Sequence, residues 1–171
     1  MRTALIVDGY NIINSWPELA ELKSRKLEEA RDKLLEIMIN YAGFTGQEVV
    51  IVYDAHQVKG ASGFRESFHG VEVVFSREGE TADEVIERIV GEYTASGDRE
   101  VYVATSDWIE QRIIFGKGAY RLPARELYQE VEKVLLKLKQ WGKGEQGTEG
   151  FIANRVNDRV RKLLENWRRR K

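Results

Sequence analysis

The 171-residue chain contains no cysteine. That absence removes disulfides, thiolate zinc sites and a cysteine nucleophile, and it fits a reducing compartment. Histidine is scarce: His56 and His69 are the only two, and neither accompanies a serine in a nucleophile elbow. No apolar run reaches the length of a membrane span, and the one after Met1 is cut off by Asp8, too soon for a signal peptide. A phosphate-binding loop is missing as well, because Gly60 and Gly63 in HQVKGASGFRESFHG lack its spacing. A soluble, cytoplasmic protein without membrane contact is expected, with one main core.

Net charge is nearly absent too, at −1, but its distribution is uneven. Residues 151–171 hold eight basic side chains against Asp158 and Glu165, a local +6, so the rest of the chain carries −7. A basic arm on an acidic body points to a polyanionic partner met by the arm, including Arg168, Arg169 and Arg170. A solvated helix face explains the same run without any partner.

Short β-branched runs at 3–7, 48–53, 71–75 and 100–105 read as buried strands. Helical stripes lie between and after them: Leu27 to Tyr41, ended by Gly43 and Gly46; Val85 to Tyr93; Trp108 to Phe115; and Leu127 to Trp141, after a short edge strand at 119–122. Alternation of strand and helix implies a mostly parallel sheet covered on both faces. The glycine-rich stretch 142–150 reads as a linker. Beyond it, Ile152, Val156, Val160, Leu163, Leu164 and Trp167 give 151–171 the stripe of an amphipathic helix that packs on the domain formed by 1–141.

In a parallel sheet all the carboxyl ends share one rim, where ligands bind. LIVDGYN ends the first strand in Asp8, and VIVYDAH ends the second in Asp54. TADE opens a helix with Asp83 and Glu84, and ATSDW places Asp107 just after the fourth strand. Each acid alone reads equally as a cap: Thr81 to Glu84 matches a capping box, Asp107 with Glu110 matches an N-cap, and Asp8-Gly9 matches an Asx-type turn. Convergence is what separates the readings, since carboxylates sharing a crevice repel unless a cation joins them. No arginine or lysine sits beside Asp8, Asp83 or Asp107 in sequence. Mg²⁺ or Mn²⁺, a hard oxygen-ligated ion, is therefore the expected counter-ion, and metal-assisted phosphodiester hydrolysis the expected chemistry. Asn11, brought round by a turn at Gly9, adds an amide for water or a phosphate oxygen. The long segment after Asp54, with Lys59, Arg65, Phe64 and Phe68, reads as a mobile substrate-contacting loop or as an ordinary surface excursion.

LIVDGYNII, VYDAH, TADEVIERIV and VATSDW, in that order, resemble the YacP-like branch of the NYN domains, which are PIN-like nucleases; the similarity runs over roughly residues 1–135. The resemblance implies a PIN-like α/β/α sandwich, a divalent-metal site and endoribonuclease activity on single-stranded RNA, with ribosome-associated mRNA cleavage within the branch. By position it carries the acidic site onto Asp8, Asn11, Asp83 and Asp107, with Asp54 nearby and the hydroxyls of Thr105 and Ser106 beside the fourth-strand acid. Two alternatives stand beside this expectation. A non-catalytic RNA- or ribosome-binding module would use the same rim and arm. A phosphoacceptor receiver domain would use Asp54, but only two strands precede that residue where three are needed, and VDGYN lacks the paired acids.

Overall fold

The computed structural model describes residues 2–58, 60–106 and 118–142. Its frame is built from apolar strands that bury both faces: β1 (Arg2–Asp8), β2 (Glu48–Tyr53), β4 (Val71–Phe75) and β5 (Arg99–Ala104), all mutually parallel where they pair. A short β3 (Arg65–Phe68) adds antiparallel to β4, and β6 (Tyr120–Leu122) adds parallel to β5. The resulting order is β3-β4-β2-β1-β5-β6. The chain thus builds outward from β1 through β2 to β4, then returns to lay β5 on the other side of β1.

Five helices among the described residues cover the sheet: α1 (Gly9–Ser15), α2 (Pro17–Arg25), α3 (Leu27–Thr45), α4 (Ala82–Ala95) and α5 (Ala124–Gly142). Strand alternation sorts the core into two layers. Leu5, Val7, Val49, Ile51 and Tyr53 face α1, α2, α3 and α5, whereas Ile6, Val50, Val52, Val101 and Val103 face Val85, Ile86, Ile89 and Val90 of α4. Each fully buried aliphatic of this kind stabilises the fold by about 1.5–3 kcal/mol relative to exposure. Polar pins supplement the packing. The Trp16 indole donates to the carbonyl of Ala124 at 2.9 Å, fixing the start of α5 against the α1–α2 junction. Tyr41 donates to Glu130 at 3.0 Å between α3 and α5, and burial with the adjacent carboxylate pushes its hydroxyl pKa upward.

The α/β sandwich and its mostly parallel sheet are as the alternating pattern predicts. Four local expectations are corrected. Gly9 opens α1 directly after Asp8, so helix replaces the expected turn. Gly43 lies inside α3, and the helix stops only at Gly46. The expected loop after Asp54 is partly ordered by a 3₁₀ turn (Ala55–Gln57) and by the β3–β4 hairpin, whose two-residue loop has positive φ at both His69 (47°) and Gly70 (85°). Positive φ at both loop positions matches the right-handed strand twist of a tight hairpin. Gly142, expected to open the linker, instead ends α5; the helix expected at Trp108 to Phe115, the rest of the glycine-rich stretch and the basic 151–171 segment lie outside the described residues.

Candidate active site

Asp8 is the last residue of the central strand, in register with Val52 of β2, and its predecessor Val7 is in register with Ala104 of β5. It therefore stands at the carboxyl rim where strand order reverses, the position that favours a ligand crevice. Following Ile6 on the α4 side, its carboxylate is buried at 9% exposure. Thr105, two residues beyond Val103 and fully buried, donates from Oγ1 to Asp8 Oδ2 at 3.4 Å. A buried carboxylate requires such donors, or a cation, to stay ionised.

Asn11 sits half-buried in the first turn of α1, three residues after Asp8. Its Oδ1 accepts from the Ser106 amide at 2.8 Å and from Ser106 Oγ at 2.9 Å. Because an N–H must donate, these bonds commit the amide oxygen to Ser106. Asn11 is thereby left with an NH₂ donor, which suits a phosphate oxygen or a water better than a cation. The pair Asp8–Thr105 and the pair Asn11–Ser106 thus stitch the ends of β1 and β5 together across 95 or more residues of sequence.

Asp54 follows β2 on the same α4 side and is partly exposed. Its Oδ1 accepts from the His56 amide at 2.9 Å, capping the 3₁₀ turn, and the exposed His56 ring places Nδ1 3.9 Å from the same oxygen. Sequence reasoning missed the residue that fixes this acid. Ser76, 1% exposed and just past β4, donates its N–H to the Tyr53 carbonyl at 3.0 Å and accepts the Ala55 N–H on Oγ at 2.9 Å, bracketing Asp54 from both sides. A polar residue directly after a buried strand was the available signal.

Asp83 occupies the first turn of α4, half-buried, at a helix N-terminus whose dipole favours an acid. Thr81 is the N-cap, accepting from the Glu84 amide at 3.2 Å, and Glu84 itself is exposed. Capping and site readings coexist here, since α4 runs against the parallel strands and so brings its N-terminus to the rim. Arg65 is exposed on β3 and ion-paired with Glu72 of β4. The expected substrate-facing aromatics turn inward: Phe68 is buried, and Phe64 packs edge-on against Phe75 with ring centres 5.9 Å apart. Asp107, Lys59, Arg168, Arg169 and Arg170 lie outside the described residues.

Among the described residues, no three histidine, aspartate or glutamate side chains gather closely enough to hold a metal ion. The described donors are nevertheless hard oxygens on one side of one rim: Asp8 buried beside a hydroxyl, Asp54 and Asp83. That chemistry fits Mg²⁺ or Mn²⁺ rather than a soft ion.

A mostly parallel α/β/α sandwich with acids from separate segments at the reversal of strand order is the PIN-like, nuclease-type fold. The chain belongs to the YacP-like NYN domain family, whose sequence profile matches residues 5–169. It is 43% identical to the uncharacterized protein YacP of Bacillus subtilis (strain 168) over 167 residues, 96% of each chain. It is similar to the crystal structure of Rae1 (YacP) from Bacillus subtilis, with a TM-score of 0.74 at 42% identity, covering 97% of this chain and 94% of that one. The W164L mutant of the same protein gives a TM-score of 0.72 at 40% identity, covering 90% and 89%. Among the described residues no helix is long and apolar enough to cross a membrane.

Proposed function

We propose that this protein is a metal-dependent endoribonuclease that cuts single-stranded RNA, with ribosome-associated mRNA as the natural substrate class and the cytoplasm as its place of action. The observation that carries this reading is the stitched rim, where the buried Asp8 carboxylate and the Asn11 amide are held side by side through Thr105 and Ser106. Asp8, Asp83 and Asp107 are the residues that would hold Mg²⁺ or Mn²⁺. When bound, such an ion neutralises charge on a phosphodiester oxygen and makes water a better nucleophile at neutral pH.

The protein's own groups do the rest. Thr105 orients the Asp8 carboxylate, so that little reorganisation is needed when substrate arrives. Asn11, with its oxygen committed to Ser106, directs its NH₂ group at a phosphate oxygen or at the attacking water. Asp54, fixed by Ser76, adds an acid to the rim, and Glu84 stands exposed at its edge. Lys59, Arg65 and the arginines at 168–170 supply the phosphate contacts that hold single-stranded RNA. Attack by water, rather than by the ribose 2′-hydroxyl, leaves a 5′-phosphate and a 3′-hydroxyl.

The test is incubation of the pure protein with end-labelled single-stranded RNA, with and without Mn²⁺ and with and without ribosomes. Cleavage that needs the ion and leaves 5′-phosphate ends is the expected result. Products ending in 2′,3′-cyclic phosphate would overturn the water mechanism. Tight RNA or ribosome binding with no cleavage under any condition would instead identify a non-catalytic binding module of the same fold.

A further inference from the structure

The contact that seats the Asp8–Asn11 segment on the sheet comes from a residue with no part in the site so far. Tyr53, the last residue of β2, is 2% exposed, and its ring lies directly beneath Gly9. A Cβ added at Gly9 would stand 2.2 Å from Tyr53 Cε1, 2.5 Å from Cδ1 and 2.8 Å from Cζ, well inside van der Waals contact. The ring is itself wedged, with the Tyr10 ring centre 4.8 Å away and that of Phe75 5.2 Å away. It cannot yield by simple rotation into open space. The height of α1's first turn above β2 is therefore set by the thickness of one aromatic ring against a bare glycine Cα.

Gly9 and Tyr10 are also the only residues between Asp8 and Asn11. We infer that Tyr53 is a positioning residue for the active site: its ring, received by Gly9 and Tyr10, fixes where the Asp8 carboxylate and the Asn11 amide stand on the rim. This rests on the reading of those two residues as the site. The role belongs to the ring and not to the hydroxyl, because Tyr53 Oη has no hydrogen-bond partner among the described residues. Tyr53 also lines a small cavity with Arg31, whose Nε likewise has no such partner and whose Nη1 donates to Tyr10 Oη at 3.3 Å.

Amide hydrogen exchange at Ser106 reads the position of Asn11 independently of any activity, since that N–H is held by Asn11 Oδ1. Gly9→Ala and Tyr53→Leu should each speed Ser106 exchange about tenfold or more, while the amide of Ile6 in mid-β1 stays protected in the folded variants. Tyr53→Phe, which keeps the ring, should match the wild type. The double variant Gly9→Ala/Tyr53→Leu should lose less protection than the two single losses combined, because the clash has gone. Should Tyr53→Leu fail to fold, Tyr53→Met retains the apolar bulk and takes its place. In RNA cleavage the same series should show a fall in kcat with KM nearly constant, restored in Tyr53→Phe. Ser106 exchange at the wild-type rate in folded Gly9→Ala and Tyr53→Leu would overturn the proposal, as would normal kcat in both. A wild type that cuts no RNA sinks the endoribonuclease reading alone, and the exchange data still decide the role of Tyr53.

Discussion

The two ends of the central sheet handle charge in opposite ways. At the amino end, Arg2 reaches Asp98 at 2.9 Å and Glu48 at 3.4 Å, and Arg99 lies 3.7 Å from Glu48, so acids and bases from three strand ends neutralise one another. At the carboxyl end, Asp8, Asp54 and Asn11 accept hydrogen bonds from hydroxyls and backbone amides: Thr105, the His56 N–H and Ser106. The amino end is partly exposed, and its charges sit in ion pairs of opposite sign. The carboxyl end buries the Asp8 carboxylate beside the Thr105 hydroxyl, which orients it. Acids at the amino end pair with arginines, whereas Asp8 and Asp54 at the carboxyl end accept hydrogen bonds from neutral donors, the setting in which the proposed ion would act.

The largest effect should come from removing one charge at the rim without changing its shape. Asp8→Asn retains an acceptor for Thr105, so the far-ultraviolet circular dichroism should be unchanged, while cleavage of labelled RNA falls by more than about 100-fold, beyond the roughly 10- to 100-fold typical of outer-sphere partners of a metal. Cleavage at wild-type rate would place the chemistry elsewhere. The polyanion itself is probed by Arg168→Ala/Arg169→Ala/Arg170→Ala. Binding to single-stranded RNA should weaken and its logarithmic salt slope should drop by up to about 2, at roughly 0.7 per phosphate contact, with saturating turnover nearly unchanged. An unchanged slope would remove the basic segment from the RNA path and leave Lys59 and Arg65 as the candidates.

A divalent ion should act on the rim alone. At about 100 times its dissociation constant, Mn²⁺ should stabilise the fold by about 2.7 kcal/mol, which is several degrees of melting temperature in a chain of this size. Asp83→Asn should blunt that rise, and Arg2→Ala should leave it intact. A melting curve indifferent to millimolar Mn²⁺ would contradict the contrast between the ends.

The smallest effect belongs to the paired end. Arg2→Ala should lower the melting temperature slightly and leave cleavage untouched. Hydrogen bonds from Ser96 and then Arg2 hold the Asp98 carboxyl below its usual range. A depressed folded-state value means a contribution present above the unfolded carboxylate pKa of about 3.9 and lost as pH falls through the lower folded value. The difference between wild type and Arg2→Ala should therefore shrink below about pH 4, and persist unchanged at pH 7. Melting curves in a pH series check this, and a difference that grows on acidification would refute the pairing.

Strands read most clearly where one local pattern carried the whole signal. β2 and β4 match the runs at 48–53 and 71–75, because β-branched residues buried on both faces need no knowledge of their neighbours. β3 was hidden because RESF is polar, with only Phe68 buried, and it exists through its pairing with β4. α1 was hidden because seven residues following a strand show too little periodicity to register. The rim acids were legible for a topological reason: once parallel strands are recognised, their carboxyl ends must share one edge, and Asp8 and Asp54 follow.

The sequence by itself determined the layering of the fold and the rim of the sheet to which the strands carry Asp8 and Asp54, since alternation and strand direction follow from local patterns. Why position 9 is glycine, and what Asn11 presents to a ligand, only the tertiary structure decided. Glycine there suggested a turn, yet the backbone is helical, and what excludes a side chain is the ring of Tyr53, 44 residues away along the chain. The polarity of Asn11 is set by the Ser106 amide from the far strand, 95 residues on. Contacts between segments that far apart leave no periodic trace, because their partners meet only after the sheet has brought the strand ends together.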